Sequence, residues 1–166
     1  MLDLILGGIL CFISTYIGIT GKLYYDKRYR FLKDFVAFLQ DLKDNMVYSK
    51  DNLISIAAKF VQQNKGDICK ALVLYKEILA KGENTEKNIK DIFDYKYLKK
   101  GERAFVNEFF LTLGTLDYDN QIAKVNLTMV QAEKLRDKAE KDSKTTGAVL
   151  SKLGLLAGIA IMLIMA

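Results

Sequence analysis

The 166-residue sequence has no histidine, no proline and no tryptophan, and only two cysteines. The missing histidine excludes Ser-His and Cys-His activation, histidine metal ligation and the commonest general base together. The missing proline removes the strongest breaker of helices. Seven of the eleven glycines lie within the first 21 or last 20 residues, so the middle has little punctuation left and long stretches are free to be helical. Cys11 and Cys69 lie far apart with no CxxC or metal-ligand spacing, so no disulfide framework or metal site is expected. Neither GxxxxGK[ST] nor GxGxxG occurs, which removes phosphate cradling by a glycine-rich loop. Paired carboxylates remain the one conventional catalytic option. Asp117 and Asp119 sit together after Gly114, but at the head of a long helix they read as an N-cap and a first-turn acid favoured by the helix dipole. No cofactor is implied.

What is present is charge and apolar length. The net charge is +5, and its placement says more than its sum. Lys22, Lys27, Arg28, Arg30 and Lys33 follow one apolar run, and Lys134, Arg136, Lys138, Lys141 and Lys144 precede another. Basic residues so placed flank membrane spans on their inner side and argue against nucleic acid as the partner.

Leu4 to Gly21 carries no charge, and as a helix it measures about 27 Å against a bilayer core of about 30 Å. A cleaved signal peptide is the alternative, but it needs positive charge before the apolar stretch, whereas here Asp3 precedes and Lys22 follows. Ala148 to Ala166 is of similar length, with Lys152 placed to snorkel. The positive-inside rule then puts both termini outside and the residues between them in the cytoplasm. Three segments are expected: a transmembrane helix over 1–21, a cytoplasmic helical bundle over 22–147 and a second transmembrane helix over 148–166.

Within the middle, Phe31, Phe35, Phe38, Leu39, Leu42 and Met46 recur at steps of three and four, the stripe of an amphipathic helix continuing from the first span. Tyr48-Ser-Lys-Asp-Asn52 breaks it, and Leu53, Ile56, Ala57, Phe60 and Val61 begin a second helix. A third follows Gly66 and ends at Gly82 as C-cap. A fourth is expected over Thr85 to Tyr97, with Lys96 to Lys100 as a solvated connection and Lys99-Lys-Gly-Glu102 separating it from a fifth through Phe105, Phe109 and Leu113. Ile122, Val125, Met129, Ala132, Leu135 and Ala139 mark the last helix, free to run on into the second span. The sum is an all-α fold, an antiparallel six-helix bundle with one transmembrane helix at each end.

Both spans carry small residues at helical spacing: Gly7, Cys11, Ser14 and Gly18 in the first, Gly147, Ser151, Gly154 and Gly158 in the second. Such stripes let backbones approach closely. Packed antiparallel at equal depth, Gly18 would face Ser151, Ser14 Gly154, and Cys11 Gly158; pairing with another protomer or another protein is the alternative.

The element Leu113-Gly114-Thr-Leu-Asp117-Tyr-Asp-Asn-Gln121, with the charged helix after it and Leu153-Gly154-Leu-Leu-Ala-Gly158-Ile beyond, resembles the LGxSDxxxQ element and glycine-containing C-terminal span of the stage III sporulation protein AB family. Leu39 to Leu53 is similar to that family's first hairpin. Asn52 stands where the family usually carries proline, and Leu116 where it carries serine. The resemblance implies a bundle like the cytoplasmic domain of the inner-membrane platform protein of type II secretion and type IV pilus systems. It also implies a non-enzymatic role in the channel between mother cell and forespore, beside a secretion-type ATPase (stage III sporulation protein AA-like) and other channel proteins. The localisation implied is the mother-cell membrane facing the forespore, with association of several copies left open. Leu113, Gly114, Asp117 and Gln121 become candidate interface residues. A membrane-tethered helical adaptor or sensor unrelated to secretion machinery is the alternative function.

Overall fold

The computed structural model describes residues 2–49, 53–82 and 85–165. The expected break at 50–52, Asn52 included, lies outside them. The described residues are all helical and loop. α1 is Leu2–Asp44, α2 Leu53–Gln63, α3 Asp67–Lys81, α4 Glu86–Ile92, α5 Lys100–Thr112, α6 Tyr118–Asp142 and α7 Ala148–Met165. One π turn, Asn45–Ser49, extends α1, and another, Ser143–Gly147, joins α6 to α7 into a continuous helix. Counted that way, there are six helices among the described residues, the first and last long and apolar at the chain ends.

The π turns have local causes, because a side chain that takes a carbonyl competes with the helical ladder. Asn45 Nδ2 donates to the Asp41 carbonyl at 2.8 Å and to its carboxylate at 3.1 Å. Thr145 Oγ1 donates to the Lys141 carbonyl at 2.7 Å.

The chain forms two compact units, Arg30–Arg136 and the paired ends Met1–Tyr29 with Asp137–Ala166. The Arg30–Arg136 core is aromatic. Phe35, Phe38, Phe93, Phe109 and Phe110 are fully buried. Phe110 stacks on Phe93 at 4.4 Å and on Phe38 at 5.9 Å, with the Tyr75 ring edge-on at 5.0 Å. α2 packs on α3, α3 on α4 and α4 on α5. Gly82 ends α3 with φ 68°, and its amide donates to Leu79 O at 3.2 Å, an αL cap that suits glycine.

Two expectations need correction. α4 stops at Ile92 instead of reaching Tyr97. Beyond it, Phe93 and Leu98 bury their side chains, Tyr95 OH donates to Asp67 O at 3.0 Å and Tyr97 OH to Asp67 Oδ2 at 2.8 Å. These anchors hold the segment in turns, and within Lys96–Lys100 only the lysines are exposed. Lys100, Gly101 and Glu102 form the first turn of α5 instead of a spacer, because the Glu102 carboxylate accepts the Lys99 amide at 3.0 Å. In α6 the buried stripe is Val125, Thr128, Ala132 and Ala139, with Ile122, Met129 and Leu135 half-buried.

Candidate functional site

In the unit formed by the chain ends, α1 and α7 touch through the small residues. Contact partners run upward along one helix as they run downward along the other: Gly7 with Met165, Cys11 with Gly158, Ser14 with Gly154, Gly18 with Leu150, and Lys22 and Tyr25 with Gly147. The helices are therefore antiparallel. A Cβ added at Gly154 would lie 2.8 Å from both Gly18 Cα and Ser14 O, and one at Gly158 would lie 2.9 Å from Cys11 O. No side chain fits there without moving backbone. Ser14 Oγ donates across the interface to Gly154 O at 2.9 Å. Gly18 meets the Leu150 carbonyl, in the peptide unit that leads into Ser151, and Gly154 Cα; Ser151 is half-buried.

Past the small residues the same two chain segments carry charge. Arg28 is only 1% exposed, and its Nη1 donates to Asp142 Oδ2 at 2.7 Å. Ser143 Oγ donates to Asp26 Oδ1 at 2.5 Å. A buried guanidinium is tolerable only when paired, because the desolvation of a lone charge costs several kcal/mol. The sequence counts Arg28 among five basic flank residues, and nothing in its spacing sets it apart from the exposed Lys22 and Lys27.

In the Arg30–Arg136 unit, the Leu113–Gln121 element forms the turn between α5 and α6. Leu113 is buried, while Gly114, Leu116 and Asp117 are exposed and Gln121 is half-buried. Tyr75 OH donates to Phe110 O at 2.9 Å and to Leu113 O at 3.4 Å, satisfying carbonyls left open where α5 ends. Burial pushes the Tyr75 phenol well above its ordinary pKa, so it stays a donor. Gly114 turns the chain with φ 85°, beside the Leu53 side chain. Asp117 precedes α6, and its carbonyl accepts the Gln121 amide at 2.9 Å. Its carboxylate accepts Asn120 Nδ2 at 2.5 Å, where a backbone amide of the first turn was expected. Tyr118 OH donates to Met46 O at 2.5 Å and ties the element to the π turn after α1, a contact with no signal in the sequence.

No group of three or more metal-ligating side chains occurs among the described residues. Both cysteines are free thiols, and burial pushes that of Cys69 up. A cavity of about 290 Å³ between α4 and α5 is lined by Glu86, Ile89, Lys90, Ala104, Asn107, Glu108 and Leu111.

α1 with its π turn, and α6 with α7, are each long and apolar enough to cross a membrane, and only 11% and 6% of their apolar windows are buried. A core helix of a soluble protein would bury most of such a window. The class is thus an all-helical protein with a long apolar helix at each end. The chain belongs to the stage III sporulation protein AB family, whose profile matches residues 3–166, and is accordingly a sporulation protein. It is similar to the stage III sporulation protein AB of Bacillus subtilis (strain 168), with 24% identity over 157 residues that cover 92% of each chain. No solved structure matches it.

Proposed function

We propose that the chain is a non-enzymatic membrane platform, an assembly component of the channel between mother cell and forespore, acting with a secretion-type ATPase. The observation that carries this reading is the antiparallel contact of α1 and α7 through Gly18, Gly154 and Gly158, since it brings both ends of the chain into one apolar hairpin. With basic residues flanking both apolar stretches, residues 22–147 lie in the cytoplasm and both termini outside. The bundle is antiparallel and like the cytoplasmic domain of the type II secretion platform protein. A chain without histidine and without a phosphate-binding loop fits a mechanical part better than a catalyst.

Two experiments test it. An impermeant thiol reagent applied to intact cells should miss a cysteine at Lys99→Cys and label one appended after Ala166; the reverse pattern overturns the topology. The detergent-solubilised chain should co-purify with a stage III sporulation protein AA-like ATPase. A chain that inserts with the stated topology but never co-purifies with that ATPase would be a tethered adaptor outside any secretion machinery.

A further inference from the structure

The end of the Arg30–Arg136 unit where the π turn after α1 meets the α5–α6 turn exposes apolar side chains together. Two contacts fix the juxtaposition: Tyr118 OH on Met46 O at 2.5 Å, and Leu53 against Gly114. Around them Val47, Tyr48, Ile54, Leu116 and Tyr118 are all exposed, Tyr48 by 84%. On one side, Met46 is the last buried residue of the α1 stripe, and Val47 and Tyr48 after it in the π turn are exposed. Aromatic rings held out to water on an ordered turn are the anchors that protein interfaces favour.

The charge here opposes that of the whole chain. Residues 41–49 and 113–121 hold four aspartates, Asp41, Asp44, Asp117 and Asp119, against one lysine, Lys43, in a chain of net charge +5. The hydrogen-bond partners of three are neutral amides: Asn45 on Asp41, Gln40 on Asp44 and Asn120 on Asp117. Lys59 of α2 acts electrostatically on Asp41, and Lys124 of α6 is bonded to Glu108 instead. An acidic rim repels phosphate, which disfavours anionic lipid and nucleic acid, and it repels a second copy approaching through the same surface.

We infer that this tip is a docking surface for a protein partner that presents lysine or arginine beside an apolar side chain. The apolar side chain packs on Tyr48, Leu116 and Tyr118, and the cation sits against the Asp44 and Asp117 carboxylates. The inference rests on the platform reading above and adds to it the chemistry of the partner.

The test uses the full chain in its own host, with a benzophenone amino acid in place of Tyr48 and the photo-crosslinked peptide mapped by mass spectrometry. The expected adduct is on another protein, within a helical turn of a basic residue. Asp117→Lys with Asp119→Lys should cut its yield at least about tenfold, and so should Asp44→Lys on the opposite rim, while the same probe at Leu127 keeps its own yield. The circular dichroism of each variant must match that of the parent. Adducts on lipid, nucleic acid, a second copy or a segment without basic residues overturn the inference, as do yields untouched by charge reversal or the absence of any adduct. A basic-apolar adduct on a protein other than the ATPase leaves the inference standing and removes the ATPase from the proposed function. Co-purification of the ATPase without an adduct at the tip does the opposite.

Discussion

The paired ends of the chain pack by leaving side chains out, and the middle packs by filling space with rings. At the α1–α7 contact, backbone meets backbone over Gly18, Gly154 and Gly158. In the Arg30–Arg136 core, Phe110 alone touches five other rings. On the membrane reading proposed above, the difference follows from the solvent each surface meets. A ring buried from water gains the hydrophobic effect, whereas in hydrocarbon only dispersion and hydrogen bonds favour contact, and both require the backbones to be close. Arg28 is buried in a pair with Asp142, while Asp44, Asp117 and Asp119 at the middle unit's tip are exposed.

This contrast is sharpest where one residue is removed. Phe110→Ala should cost about 3–5 kcal/mol, the loss of a fully buried ring plus the cavity it leaves. Chaotrope unfolding of the chain in detergent, followed by near-ultraviolet circular dichroism, measures it. Arg28→Ala should cost about 3 kcal/mol because it removes the buried guanidinium paired with the Asp142 carboxylate. Arg28→Met with Asp142→Leu should recover most of that, and a double variant as unstable as the single one would show that the pair does more than neutralise charge.

Between glycines the expected difference is smaller. Gly154→Ala forces backbone apart and should cost about 1–3 kcal/mol, whereas Gly8→Ala, with open space where its Cβ would go, should cost nothing measurable. Equal effects would mean that helix propensity, not the close approach, sets the stability. At the head of α6, Asp117→Ala should cost at most about 1 kcal/mol, because its carboxylate holds the Asn120 side chain and not a backbone amide of the first turn.

At Asp34 the expected change in stability has the opposite sign. Burial holds the Asp34 carboxyl above its ordinary range, against the lowering pull of Lys33 and Arg30 and with Asp67 adding to the rise. A carboxyl raised in the folded state favours folding while protonated, and that contribution is lost as pH rises from the unfolded value of 3.8 through the folded one. Asp34→Asn should therefore match the parent below that window and be more stable above it, as melting curves across acid to neutral pH will report.

The helical faces of this chain were readable because burial repeats at steps of three and four wherever a helix has one wet side. Phe31, Phe35, Phe38 and Leu42 are buried as that rule requires. The rule failed from Phe93 to Leu98, where burial comes from tyrosines reaching Asp67 across the fold and not from a local repeat. The π turns were invisible for a related reason, since Asn45 shifts the ladder through one side-chain bond that no periodicity records. In the candidate sites, the Gly, Ser and Cys spacing marks the narrow side of each apolar helix. The burial of Arg28 depends on Asp142, 114 residues away, and the Tyr118 bond to Met46 spans 72. Long-range pairs of that kind leave no trace in a single sequence.

The central claim is that α1 and α7 of one chain form an antiparallel hairpin. A Cβ placed at Gly7 lies 3.3 Å from Met165 Cβ, close to the roughly 3.5–4.5 Å that a disulfide spans. With Cys11→Ser and Cys69→Ser as background, Gly7→Cys with Met165→Cys in membranes should oxidise to a monomer with an internal crosslink. Disulfide-linked dimers alone, or two thiols that react with a permeant reagent yet never join, would contradict the hairpin.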